Sequence, residues 1–367
     1  MLKRLYIDNF RCFVNFEYKP ERKQLLLGAN GSGKSSLVTA VRFIKEFVEA
    51  RENPFTQSSR TRWVDRPLQV FEVEATLNDQ TFEYRTEIRY SSPDSKIPSV
   101  SLERLRVSGE LIFELSGGEI HFFPDSGNSS AVLRWEGKDS ALHLAQFSNG
   151  KVRRFVEWLR TLHTFQIDAY EGRMDETADA VRTIPDFELE SVAEWYLNCL
   201  QEDPAGIDKF KASIREVLPG FDVLRFSRDE DGVNRLHADF KSSTGSKDSF
   251  SIRELSDGQR YLIALYMILH FLIEKGHTVF IDEPDNFIAL REIQPWLLAA
   301  EDAVQESKGQ LILISHHPEI LNQWAAEYGV LFVREQNGQV APLKPYKSNY
   351  DDILQPSEVV ARGWEND

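Results

Sequence analysis

The chain has 367 residues, 41% hydrophobic and 28% charged, enough apolar mass for two domains or for one large domain with an inserted lobe. A net charge of −15 argues against a globally basic nucleic-acid binder, although a local basic patch can persist in an acidic protein. Two cysteines, Cys12 and Cys199, support neither a disulfide framework nor a CxxC metal cluster, and no apolar run approaches the ~18 residues of a membrane span. Together with an N-terminus that lacks a signal-peptide core, these features argue against secreted and membrane-spanning classes and lead us to expect a cytoplasmic protein.

Residues 2–8 and 12–18 read as short strands around a turn at Asn9–Arg11. The run 24–27 is apolar and stops at Gly28, as a buried parallel strand entering a tight turn does. From Ser35 to Ala50, the residues Leu37, Val41, Ile44, Phe47 and Val48 recur at helical spacing. The polar stretch 51–66, with Arg51, Arg60, Arg62 and Arg66, reads as a surface loop. Residues 68–135 alternate apolar with polar positions between Asn-Asp, Ser-Gly and Gly-Gly turns, which predicts an antiparallel meander. Helical spacing returns in 151–163 and 186–218, with Pro204 and Gly206 dividing the second region into two helices. Segments 221–227 and 233–240 form a hairpin pattern around Asp231–Gly232. A polar linker, 241–249, precedes a strong helix pattern at 256–275. Strand 277–282, helix 291–306 and strand 310–315 follow βαβ logic. The tail from Lys344 has no clear pattern.

Gly28-Ala29-Asn30-Gly31-Ser32-Gly33-Lys34-Ser35 fills every fixed position of GxxxxGK[ST], between a predicted strand and a predicted helix. Glycines let backbone amides wrap around phosphates, and the following helix N-terminus, with Ser36 in its first turn, attracts negative charge. Lys34 is expected to reach the terminal phosphates of a nucleotide, and the Ser35 hydroxyl to ligate Mg²⁺. The strand in His-Thr-Val-Phe-Ile-Asp-Glu (277–283) delivers two adjacent carboxylates at its C-terminal end. Asp282 is the expected magnesium ligand, and Glu283 the expected base for the attacking water.

Leu255-Ser256-Asp257-Gly258-Gln259-Arg260 precedes the 261–275 helix and resembles the LSGGQ signature of ABC-type ATPases. Its order and its spacing before the Asp-Glu strand match that family. The resemblance implies that Ser256, Gly258 and Gln259 contact a nucleotide held by a second subunit. Ser315-His316-His317-Pro318 resembles the switch-histidine segment, with His316 at the matching position and His317 as a rival. Asp285 falls where the family's D-loop would run. The opening Asn9-Phe10-Arg11-Cys12-Phe13 resembles that of RecF, SMC and OLD-type ATPases, which implies that Arg11 lies near the nucleotide. The family's Q-loop glutamine, a metal ligand, would be Gln166, with Gln146 as its rival.

These resemblances imply an α/β fold: an ABC-type P-loop head with an antiparallel β meander and a helical signature lobe. The expected division is 1–170 with 270–367 for the nucleotide lobe, against 171–269 for the lobe ending in the signature. About 220 residues of meander and short helices separate Ser35 from Ser256, so no SMC-length coiled coil fits, and no appended Toprim nuclease is expected after His316. The implied activity is hydrolysis of ATP with Mg²⁺ by a homodimer that sandwiches the nucleotide. The similar small "AAA family" ATPases of bacteria and archaea imply a separate effector partner, such as a nuclease, in anti-phage defence. Two other readings stay open: a RecF-like DNA-repair clamp contacting DNA through a local basic patch, and a non-hydrolysing scaffold, which Lys34, Asp282 and Glu283 disfavour. The meander and the arginine-bearing loop are the expected docking surfaces.

Overall fold

A computed structural model describes residues 1–49, 54–91, 98–123, 131–135, 138–167, 174–229, 232–241, 245–349 and 353–364. The chain begins with β1 (Leu2–Asp8), β2 (Phe16–Tyr18), β3 (Lys23–Leu27) and helix α1 (Lys34–Val48). The meander follows as β4 (Leu68–Leu77), β5 (Gln80–Tyr90), β6 (Pro98–Val107), β7 (Glu110–Ser116), β8 (Glu119–Phe122) and β9 (Ala131–Arg134). Next come α2 (Leu142–Ala145), α3 (Gly150–Arg160), β10 (Leu162–Gln166) and β11 (Thr177–Ala178). Helices α4 (Val192–Glu202) and α5 (Pro204–Val217) precede β12 (Phe221–Arg228), β13 (Asn234–Lys241) and β14 (Lys247–Ser251). The βαβ region holds α6 (Asp257–Ile268), β15 (Thr278–Asp282), α7 (Leu290–Ser307), β16 (Gln310–Ile314) and α8 (Pro318–Tyr328). The chain closes with β17 (Gly329–Leu331), β18 (Lys344–Pro345) and α9 (Pro356–Ala361).

These elements form two compact units, Met1–His163 with Tyr328–Tyr346, and Thr164–Glu327 with Lys347–Asp367. This division by packing differs from the motif-based one: the signature helix shares a unit with the Asp-Glu strand. The reason is contact within that unit, where the Trp296 indole of α7 donates to Leu265 O of α6 at 2.9 Å.

In the first unit, an eight-stranded antiparallel sheet runs β2-β1-β4-β5-β6-β7-β8-β9. Alternation along its strands buries one side: Val73, Ala75, Phe82, Tyr84 and Leu105 are at most 1% exposed. A ring cluster joins Phe10 to Phe71 (5.5 Å between centroids) and Phe55 to Phe47 of α1 (5.4 Å). Separately, β3 lies parallel to β17, with Leu25, Leu26 and Leu27 fully buried.

Three expectations need correction here. The strand expected over 12–18 is confined to 16–18, because Phe10 and Phe13 close a tight turn and Arg11 and Asn15 take left-handed backbone (φ 50° and 49°). The loop 51–66 is not simply surface: Ser59, Arg60 and Thr61 are buried, and Phe55 joins the core. Arg60 donates from Nη2 to Arg66 O (2.7 Å) and lies over the Tyr90 ring, while Arg66 pairs with Asp8 at 3.0 Å. Arg51 lies outside the described residues, as does Asp231 of the expected hairpin turn. Finally, the polar linker 241–249 contains part of β14, an exposed edge strand whose backbone pairs with β13 and needs no apolar alternation.

In the second unit, β11, β13, β12 and β14 form an antiparallel sheet, so the signature region is not helical alone. Pro204 occupies the first turn of α5 and the Asp203 carboxylate caps Gly206 N–H at 2.9 Å, which sets the break between α4 and α5. Helix α6 passes into a π-helical turn at Leu269–Ile273. Strands β15 and β16 run parallel with every residue buried, in a register that sets Asp282 opposite Ile314.

Candidate functional site

In the first unit, the loop from Gly28 to Gly33 joins the buried strand β3 to α1. Gly28, Gly31 and Gly33 have φ of 135°, 76° and 119°, backbone that side chains with a Cβ rarely adopt. A Cβ at Gly28 would lie 2.3 Å from Phe332 O, and one at Gly33 would lie 3.0 Å from both Cys12 Sγ and Val340 Cγ2. Lys34 is buried and folds back over its own loop, its Nζ donating to Gly28 O (2.6 Å) and Ala29 O (3.2 Å).

The N-terminus of α1 has no side-chain cap and no acidic residue in its first turn, so the positive end of its dipole favours an anion. The Ser32 hydroxyl is buried inside this loop with no hydrogen-bond partner. An orphaned buried donor, an uncapped helix start and a folded lysine together fit a polyphosphate chain. Ser35 is exposed and Ser36 half-buried in the first turn of the helix.

Arg11 donates from Nη1 to Thr39 Oγ1 (3.1 Å), and Thr39 Oγ1 donates to Ser35 O (2.9 Å), so Arg11 reaches α1 one turn beyond Ser35. Burial and the neighbouring Arg42 charge lower the pKa of Arg11. Cys12 lies behind Gly33, where burial pushes its thiol pKa up against an opposing hydrogen bond from Ser36.

In the second unit, Asp282 is buried at the end of β15 and Glu283 is exposed just beyond it. Glu283 has φ 55°, and its N–H donates to Ile314 O at 2.8 Å. Left-handed backbone at a glutamate is strained, and here the turn into Pro284–Phe287 imposes it. Asn286 donates from Nδ2 to Glu283 Oε2 (2.8 Å) and to Ile167 O (2.7 Å), which holds the carboxylate in one orientation. Asp285 accepts a hydrogen bond from the Ser315 hydroxyl, while burial pushes the Asp285 carboxyl pKa up.

Ile167 N–H donates to Asp282 O (3.1 Å), so β10 carries Gln166 alongside the carboxylate end of β15. Gln166 is half-buried and its N–H donates to Phe187 O (3.0 Å). The rival Gln146 belongs to the other unit and donates its amide to His143 O (2.9 Å). His316 is exposed after β16, whereas the Nδ1 of His317 accepts Glu319 N–H (3.2 Å) at the start of α8.

Ser256 is the N-cap of α6. Its Oγ accepts Gln259 N–H (3.3 Å) and its own N–H donates to Gln259 Oε1 (3.0 Å), a reciprocal capping box. The signature therefore has a structural duty in its own chain. Gly258 is required by packing: a Cβ there would sit 2.6 Å from Phe287 O. The Tyr261 ring stacks on Phe287 with centroids 5.5 Å apart, which ties the signature helix to the segment after Glu283.

Sequence reasoning missed Asn286, Ser315 and Arg334. Arg334 donates to Gly31 O (3.2 Å) from a point some 300 residues along the chain, a proximity no local pattern encodes. Asn286 follows the carboxylates closely, but only the turn geometry assigns its amide to Glu283.

No curated protein matches the chain. Among solved structures, the chain is similar to the SMC head bound to the C-winged helix domain of ScpA, at 12% identity and a TM-score of 0.59, over 96% of this chain and 99% of that one. It is also similar to the Smc head domain with an extended coiled coil bound to the C-terminal domain of ScpA derived from Pyrococcus furiosus, at 12% identity and a TM-score of 0.52, over 98% of each chain. These likenesses establish the ABC-type head fold. The family model described as "AAA domain, putative AbiEii toxin, Type IV TA system" matches residues 25–322. That match spans most of the sequence, so the chain belongs to this AAA-domain family and is an ATPase with the ABC-type head fold.

Proposed function

We propose that this ATPase is a dimeric switch whose ATP-bound, closed state acts on a separate effector protein. The observation that carries the chemistry is the glycine loop with its orphaned Ser32 hydroxyl and uncapped helix start. The loop amides and Lys34 would hold the β- and γ-phosphates. Ser35 and Asp282 would hold Mg²⁺, with Gln166 as a further ligand, and the ion would supply charge neutralisation to the phosphates. Glu283, oriented by Asn286, would take the proton of the attacking water, and His316 would face the developing phosphate charge.

Ser256, Gly258 and Gln259 begin a capped helix that could present its N-terminal end to a nucleotide on a second copy. Such a contact is isologous and would give two equivalent sites per dimer. Arg11 would set the position of α1. For the output, the net charge of −15 and the internal engagement of Arg60 and Arg66 favour a protein partner over DNA. The SMC heads to which the chain is similar are seen bound to ScpA, which supports a docking role of this kind. An effector such as a nuclease in anti-phage defence is the partner we favour.

The test is Glu283→Gln. The variant should bind Mg·ATP like wild type, lose about 10²- to 10³-fold in phosphate release, and show a doubled mass by light scattering in ATP. It then serves as bait in the native host, with and without nuclease treatment. Unchanged turnover removes Glu283 from its role, a monomer in ATP removes the dimer, and recovery of DNA alone favours a RecF-like clamp.

A further inference from the structure

Trp63 is a large aromatic side chain left 45% exposed, although neighbouring residues of its loop are buried. Its surroundings are built. The Arg334 guanidinium lies over the indole, 5.7 Å from the ring centre, and donates to Gly338 O (2.8 Å) and to Gly31 O (3.2 Å). Gly338 packs on the same ring, where even a Cβ would come within 3.3 Å of the six-membered half. The indole is therefore fixed by the 334–340 turn and linked through one guanidinium to the phosphate loop. Beside it opens a cavity of about 620 Å³ lined by Arg60, Thr61, Arg62, Trp63 and Asp65 among others. A cavity of that size suits a nucleotide-sized ligand.

We infer that Trp63 is the stacking platform for the base of the bound nucleotide, with Arg334 joining the base platform to the phosphate loop. The inference rests on the ATP reading proposed above and adds the base-binding residue to it. An exposed indole yields free energy when a flat π-system covers it, and every nucleobase offers such a face. Stacking scales with ring area, so purine triphosphates should bind better than pyrimidine ones, with modest discrimination between ATP and GTP.

The experiment measures dissociation constants of wild type, Trp63→Ala and Trp63→Phe for Mg·ATP, Mg·CTP and inorganic tripolyphosphate by calorimetry. Base–aromatic stacking predicts that Trp63→Ala weakens ATP by about 10- to 100-fold, leaves tripolyphosphate unchanged, and is largely rescued by Trp63→Phe. Wild type should also bind ATP more tightly than CTP. Equal weakening of ATP and tripolyphosphate would mean a structural effect on the loop and would overturn the inference. ATP affinity unaffected by Trp63→Ala would overturn it as well, while leaving the ATP reading intact. A wild type that binds neither ATP nor tripolyphosphate would sink both.

Discussion

Glu103 lies on β6 with no solvent exposure and, among the described residues, no countercharge within hydrogen-bond reach. Its carboxyl accepts from Tyr84 Oη (2.8 Å), from Ser140 Oγ and from Ala141 N–H (2.8 Å), fastening the meander to the segment that opens α2. Burial raises its pKa from 4.5 to about 7, and the hydrogen bonds it accepts only partly oppose that rise. In the unfolded chain the group ionises near its ordinary value, so between pH 4.5 and 7 the folded state holds the extra proton. Stability therefore falls as pH rises through this window and levels off above it. At about 1.4 kcal/mol per pKa unit, the full loss is about 3 kcal/mol, of which about 2 kcal/mol falls above pH 5.5.

Glu103→Gln carries no charge at any pH, so it lacks this slope. Its carbonyl can accept Ala141 N–H while its NH₂ faces the Tyr84 and Ser140 hydroxyls, which can rotate to accept. The assay is urea unfolding followed by circular dichroism at half-unit steps from pH 5.5 to 8.5. The stability of the variant relative to wild type should rise by about 2 kcal/mol across that range, nearly all of it below pH 7.5. Parallel curves for the two proteins would show that Glu103 does not titrate in this window, and the burial argument would fail.

Gly33→Ala should destabilise the first unit by about 1–3 kcal/mol, because it forces alanine to φ 119° and crowds Cys12 and Val340. Thermal unfolding and ATP titration should both register the change, and a variant with normal ATP affinity would count against the loop as phosphate site. Asn286→Ala should reduce turnover about tenfold or more while ATP affinity stays within about twofold, since the variant loses the amide that orients Glu283 along with its bond to Ile167 O. A matching loss of binding would instead assign Asn286 to the nucleotide.

Much of the molecule is legible along the chain because its signals are local. The glycine loop announces itself since residues with a Cβ rarely adopt those dihedrals, and the Leu25–Leu27 run reads as a buried strand since all three side chains leave water. Pro204 marks the helix break, and the meander's alternation matches the pleat of a sheet with one buried side.

What the chain alone determined was therefore the glycine loop between strand and helix, the strand ending in Asp282 and Glu283, and the class of fold, each written in neighbouring residues by backbone geometry or by burial. Tertiary structure alone decided the rest. It turned Arg60 inward on Tyr90 and Arg66, made a strand of the mostly polar segment 247–251, and gave Asn286 to Glu283. It also set Arg334 between Trp63 and Gly31. In each case the partner is distant in sequence or chosen by a turn, and a side chain's hydrogen-bonding capacity specifies that a partner is needed without specifying which one.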